Sequence, residues 1–204
     1  MKTQATLHRA VVAFAVLTLL TPLATSAAGR DDDGYPRLMQ GPMVGAVSPT
    51  GVKIWARTTG EYPVAVEYAT NFEMFGATTT EPVMSKKAND YVVVVEIDGL
   101  DPSTEYFYKI LVNGAGDKYL LEYPAFRFTT APPAGSATSF RVAFGSCPKF
   151  QDDRVQPIWP VISDFDPDLF LWIGDNIYGD TLDPDILREE YRRQRDVHGL
   201  QPLL

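Results

Sequence analysis

Cysteine is almost missing from this sequence: Cys147 is the single one among 204 residues. One thiol cannot close an internal disulfide, so the core must hold by packing alone. A leftover thiol in an exported protein is a liability unless it is buried or bound to metal, which makes Cys147 a residue to explain. Basic charge is short as well, with 18 Lys and Arg against 26 Asp and Glu and a formal net charge of -8. Nucleic-acid binding needs basic stripes that neutralise phosphates, so this balance argues against it. Small phosphate substrates stay open, because a bound multivalent cation reverses the local field. No apolar run reaches the ~20 residues of a comfortable bilayer span. Internal repeats and long low-complexity tracts are absent too.

The longest apolar stretch sits at the amino end. Lys2, His8 and Arg9 give a modestly basic start, and Ala10 to Ala24 is an apolar core broken near its end by Pro22. Thr25-Ser26-Ala27-Ala28 supplies the small residues that a signal peptidase needs. Residues 1–28 therefore read as a secretory signal peptide, with an uncleaved N-terminal anchor as the alternative. No twin arginine and no lipid-anchor cysteine accompany it. Cleavage would remove Lys2 and Arg9, leave a still more acidic mature chain, and place it in a secreted, periplasmic or cell-envelope setting. Gly29 to Gly34, with Asp31, Asp32 and Asp33, reads as a solvated lead-in, since no calcium-ligand spacing follows the acidic triplet.

From about Tyr35 to Pro133 the pattern is all-β. Val52, Ile54 and Ala56 fall on one face of the run Gly51–Arg57, and Val64, Val66 and Tyr68 share a face with Glu67 opposite. Tyr91 to Ile97 is rich in β-branched residues, and Tyr106, Tyr108, Ile110 and Val112 alternate with polar neighbours. Turn signals at Ser48–Gly51, Asp98–Pro102 and Asn113-Gly114 separate these runs. Period-two strands with regular turns predict a β-sandwich over 35–133. Gly99 to Tyr108 resembles the strand-entry corner of fibronectin type III domains, where a tyrosine hydrogen-bonds back to nearby backbone. A sugar-binding aromatic face is the other reading of the same residues.

Thr130 to Ala137, built of Pro, Gly and small residues, marks a domain boundary. Beyond it the pattern becomes strand, helix, strand, helix. A strand is expected at 139–145 and a short helix around Pro157–Ser163 beginning near Pro160. The apolar run Leu169 to Gly174 fits a strand buried on both faces of a parallel sheet. Asp183-Pro184-Asp185 reads as a cap, a first-turn proline and a dipole-matching acid. The last helix is expected over 185–197, with Ile186, Leu187 and Tyr191 as its apolar positions and His198-Gly199 at its end.

Parallel strands joined by a crossover often lie side by side at ~4.8 Å, and open α/β sheets bind ligands just beyond their carboxyl ends. Cys147 and Asp175 each follow such a strand. One ion could reach both, and Tyr178, in a tight turn three residues on, could aim its oxygen at the same ion. A thiolate, a carboxylate and a phenolate form an anionic nest that calls for a cation of high charge. The reference phenol pKa of ~10 makes ferric iron the favoured choice. Each residue also has a plainer role: a small buried hydrophobe for Cys147, a turn cap for Asp175, packing for Tyr178. Their joint placement at two strand ends is what points to metal.

Gly174-Asp175-Asn176-Ile177-Tyr178 resembles the Gly-Asp-x-x-Tyr block of binuclear metallophosphoesterases such as purple acid phosphatases. Phe144–Cys147, Pro157–Trp159 and Pro167–Asp180, together with Gly41–Gly45 and Val52–Arg57 upstream, resemble the PhoD-like alkaline phosphatase/phosphodiesterase family. The resemblance covers nearly the whole mature chain. It implies a fibronectin type III-like N-terminal sandwich at 35–133 followed by a metallophosphoesterase α/β domain, incomplete at 139–204. It also implies Fe3+ held by Cys147 and Tyr178, with Asp175 bridging to Ca2+, and hydrolysis of phosphate mono- or diesters, whether small molecules or phosphate-containing polymers. Asn176 and Asp180 match the family pattern as residues that shape the loop.

The usual Asp-x-His block is absent, and Cys147 takes its place. The family's later Asn, Asp and His ligand blocks have no counterpart here, and the histidines are His8 and His198 alone. The chain therefore reads as the front portion of a phosphoester hydrolase, weakly active or inactive by itself. Two alternatives differ in kind: a non-catalytic secreted sandwich that binds a partner, and a split enzyme whose missing C-terminal half comes from another chain. With only two strands in its sheet, Trp172 and its neighbours are expected to be partly exposed.

Overall fold

A computed structural model describes residues 35–116 and 126–204. The proposed signal peptide at 1–28 and the acidic lead-in through Gly34 lie outside the described residues, as does the segment 117–125 of the sandwich span.

The alternating runs form strands β1 (Leu38–Gly45), β2 (Gly51–Thr58), β3 (Pro63–Ala69), β4 (Thr78–Thr79), β5 (Val83–Met84), β6 (Val92–Asp98), β7 (Glu105–Val112), β8 (Ala115–Gly116) and β9 (Phe126–Thr129). One antiparallel sheet has the order β1-β2-β6. In the other, β3 pairs β7, with β4 and β5 along β3 and β8 and β9 along β7. The period-two faces meet in one core, where Val52, Ile54, Ala56, Val93, Val95 and Ile97 pack with Val64, Val66, Tyr106, Tyr108, Ile110 and Val112. The buried positions of β7 are the alternating ones expected from the sequence. Burial of Tyr106 and Tyr108 rules out the sugar-binding face. At the strand entry, the Asp101 N–H donates to the Tyr106 hydroxyl at 2.9 Å, closing the expected tyrosine corner. Asn113 and Gly114 both have positive φ, 55° and 77°, and join β7 to β8 as a two-residue hairpin turn requires.

After the Pro-rich connection come β10 (Val142–Gly145), α1 (Ile158–Asp164), β11 (Leu169–Trp172), α2 (Pro184–Arg195) and a 3-10 helix, His198–Leu203. β10 and β11 are parallel, with Val142 opposite Leu169 and Gly145 opposite Trp172. Both strands are shorter than the apolar runs suggest. β11 is not buried on two faces: Leu169 and Leu171 are exposed, whereas Phe170 and Trp172 pack on Trp159 of α1, with ring centroids 5.8 and 5.3 Å away. A pair of strands carries too little structure to cover its second face.

Asp183 caps α2 by accepting the Asp185 N–H at 2.9 Å, and Pro184 occupies the first turn. The helix ends at Arg195, and His198 begins the 3-10 helix instead of closing α2. Its inward face is largely polar. Ile186 and Tyr191 are exposed, Leu187 is half-buried, and Glu190 and Gln194 are the buried residues of α2. Polar partners account for this. Gln194 exchanges hydrogen bonds with Gln156 at 2.8 and 3.0 Å, and Gln156 accepts the Trp159 indole N–H.

α2 also leans on the sandwich. Asp90 pairs with Arg192 and with Arg57, and Gln40 donates to the Arg192 carbonyl at 2.9 Å and to Asp196 at 2.6 Å. The Arg195 guanidinium lies 4.6 Å from the centre of the Trp55 ring. Fully burying a large apolar side chain is worth about 1.5–3 kcal/mol, and among the described residues fourteen buried hydrophobic residues make up the sandwich core against three in the α/β part. The sandwich therefore carries the larger core, to which α2 is tied.

Candidate metal centre

β10 and β11 end side by side, and the chain turns sharply after each. Cys147 has φ 60° and Asp175 has φ 47°, both left-handed values uncommon for residues with a side chain. Gly174, at φ 122°, makes the turn ahead of Asp175 possible, since that region is open essentially to glycine alone. These turns bring the two side chains together at the carboxyl end of the sheet. The Cys147 thiol donates to Asp175 Oδ2 at 3.7 Å, and the Tyr178 hydroxyl donates to the same oxygen at 3.3 Å. The structure thus juxtaposes all three residues singled out from the sequence.

Cys147 is exposed, which removes its reading as a buried hydrophobe. Asp175 makes no backbone cap among the hydrogen bonds of this loop; it receives its two neighbours' protons. The Tyr178 phenol is pushed up to about 12, first by its hydrogen bond to Cys147, then by partial desolvation and the negative charges of Cys147 and Asp175. Without a cation the tyrosine is thus held neutral. Lys149 sits beside it, its ammonium 5.7 Å from the ring centre and 3.0 Å from Asp152.

The donor set suits a cation of high charge. Two acidic protons converge on one carboxylate oxygen, and replacing them with an ion turns three repelling groups into three ligands. Thiolate, carboxylate and phenolate fit ferric iron. They do not by themselves fit calcium, which takes 6–8 oxygen ligands; of the three, only Asp175 could be shared with it. Among the described residues no three His, Cys, Asp or Glu side chains cluster as a metal site; the present set depends on a tyrosine.

Supporting residues were not singled out from the sequence. Gln151 donates to the Tyr178 carbonyl at 3.0 Å and to Glu190 at 2.7 Å. Asp153 accepts the Val155 and Gln156 N–H groups at 2.9 and 3.0 Å. The Asn176 side-chain oxygen is buried without a hydrogen-bond partner among the described residues. A Cβ on Gly179 would stand 2.5 Å from a Leu187 methyl, so the loop packs closely on α2.

Comparison with known proteins adds the following. The family model described as PhoD-like phosphatase, N-terminal domain, matches residues 24–132. No curated protein matches. A solved structure of PhoD is 18% identical, covers 82% of this chain at a TM-score of 0.65, and is itself covered over 38% of its length. The sensor domain of the anti-sigma factor RsgI4 of Pseudobacteroides cellulosolvens is 20% identical, with 52% of this chain and 98% of that one covered at a TM-score of 0.39. A human contactin 1 fn3 domain is 16% identical, with coverages of 56% and 96% and a TM-score of 0.35. At these identities the PhoD structure shows a shared fold, and the other two are too distant to show even that. No helix among the described residues is long and apolar enough to cross a membrane.

Proposed function

The chain belongs to the PhoD-like phosphatase family, whose N-terminal domain its residues 24–132 match, and from that premise we propose that it is the N-terminal portion of an exported, metal-dependent phosphoester hydrolase. The observation that carries the proposal is the convergence of Cys147 and Tyr178 on Asp175 Oδ2. In this reading 1–28 is a signal peptide, 35–133 a fibronectin type III-like sandwich and 139–204 the first strands and helices of a metallophosphoesterase domain.

Cys147 and Tyr178 would hold Fe3+, and Asp175 would be shared between it and Ca2+. The metals would polarise a phosphate ester and lower the pKa of an attacking water. The protein's own work is to aim three donors at one point and to keep Tyr178 protonated until a cation arrives. Lys149, beside Tyr178, supplies positive charge suited to holding a phosphate oxygen at the mouth of the site. Phosphoester small molecules or phosphate-containing polymers are the substrates this chemistry takes. The chain spans 38% of the length of the PhoD structure; further ligands would belong to the part it does not span, so turnover by these residues alone is expected to be weak.

The test is to load the chain with ferric iron and titrate it with orthophosphate while following visible absorption, then assay aryl phosphate mono- and diesters. Phosphate that shifts the absorption band, with slow hydrolysis lost in Asp175→Asn, fits the proposal. A band indifferent to millimolar phosphate, with no hydrolysis dependent on Asp175, contradicts it and favours the non-catalytic sandwich.

A further inference from the structure

We propose that Gln151 is a positioning residue for Tyr178, holding the tyrosine's carbonyl against Glu190 of α2 and so fixing the loop that carries the phenol. Its iron readout rests on the metal reading above; its placement of the loop does not. Both partners of Gln151 are acceptors, a carbonyl oxygen at 3.0 Å and a carboxylate oxygen at 2.7 Å. The side-chain amide must therefore turn its nitrogen to both, because its oxygen would be repelled by each. One NH2 group with two donors thus ties the site loop to α2.

Glu190 is suited to anchor this link. It is one of two buried residues on α2, and its other oxygen accepts from Arg193 at 2.8 Å. A carboxylate buried on the inward face of a helix calls for such partners, and Gln151 and Arg193 supply them. Two residues on from Glu190, Arg192 is clamped by Asp90 of the sandwich. A continuous path thus runs from the sandwich through Asp90, Arg192, the helix, Glu190 and Gln151 to Tyr178. The loop lacks regular structure between Asn176 and Asp180; Gly179 packs against Leu187 of α2, and the Gln151 amide adds the hydrogen bond that fixes the Tyr178 carbonyl. Gln151 is exposed, and its removal leaves no core cavity.

The experiment uses the full chain with Gln151→Ala, Gln151→Asn, Glu190→Gln and Glu190→Leu. In metal-free protein, backbone 15N order parameters for residues 177–179 are expected to fall from ~0.85 to below ~0.6 in Q151A. Gln151→Asn, too short to reach both partners, should behave alike and stands in if Q151A fails to fold. Ferric titration should show roughly 10–100-fold weaker binding in the same variants, the usual size of losing an outer support of a metal ligand. E190Q keeps a carbonyl acceptor and should stay near the parent, whereas E190L should match Q151A and add nothing to it in the double variant. Equal rigidity of the loop in parent and Q151A overturns the proposal, as does an unchanged iron affinity. A parent chain that takes up no iron sinks the metal reading, and the order parameters still decide the role of Gln151.

Discussion

Asp175 Oδ2 accepts hydrogen bonds from both Cys147 and Tyr178, so the proposed site rests on three side chains and the backbone turns that aim them. Because Cys147 is the leading cause of the raised Tyr178 pKa, about 12 in the metal-free protein, Cys147→Ala should return that phenol toward the ordinary ~10. Ultraviolet difference titration against Tyr178→Phe measures it; a Tyr178 that already titrates near 10 in the parent contradicts the geometry. Gly174 offers a second check. Nothing crowds a Cβ there, so the cost of Gly174→Ala is conformational, at φ 122°. It should destabilise the chain by about 1–3 kcal/mol in urea denaturation and weaken ferric binding with it. That Cys147, Asp175 and Tyr178 meet was legible in the sequence because two apolar runs stop abruptly at Gly145 and Gly174 and reactive groups follow. Gln151, Glu190 and Asp90 were not, because polar pairs formed across the fold leave no periodic trace.

At the scale of elements, α2 is the joint. Its apolar residues Ile186 and Tyr191 face outward, and the polar pairs Glu190–Gln151 and Gln194–Gln156 face in. Sequence pattern placed the helix and its Asp183 cap but carried no sign of its buried polar residues, since apolar periodicity does not register polar partners. Asp90 fixes the joint to the sandwich. Burial alone would raise its pKa, but the Arg192 and Arg57 guanidiniums outweigh that and hold it below the ordinary value. A lowered folded pKa gives stability that is complete above the unfolded value of ~3.9 and is lost as pH falls through the folded one. Asp90→Asn should therefore flatten the acid limb of a stability–pH curve. Asp90→Ala should cost roughly 1–3 kcal/mol by chemical denaturation near neutrality, as expected for partly buried charge-assisted bonds. An unchanged midpoint would show that α2 does not depend on this contact.

At the largest scale, the described residues form a sandwich with the larger core and a lightly built α/β extension. The sandwich was legible because strict alternation over β2, β6 and β7 leaves one arrangement that buries a continuous face. The extension was legible in element order, and the exposure of Leu169 and Leu171 is what a two-stranded sheet leaves uncovered, as expected, although the apolar run by itself suggested burial on both faces. The core sets an alkaline limit. Tyr108 is fully enclosed and burial pushes its phenol well above the ordinary range. Stability from this group is complete below ~10, where the unfolded chain begins to ionise, and is lost as pH rises further. Tyr108→Phe should hold its melting temperature better than the parent above that pH; parallel alkaline curves for the two would contradict this.

Visible absorption on adding ferric iron to the full chain bears most directly on the three-donor site. A three-donor iron site gives a coloured complex near one iron per chain, colourless in Tyr178→Phe and much weaker in Cys147→Ala and Asp175→Asn. A parent chain that stays colourless, or a colour untouched by all three substitutions, would contradict it.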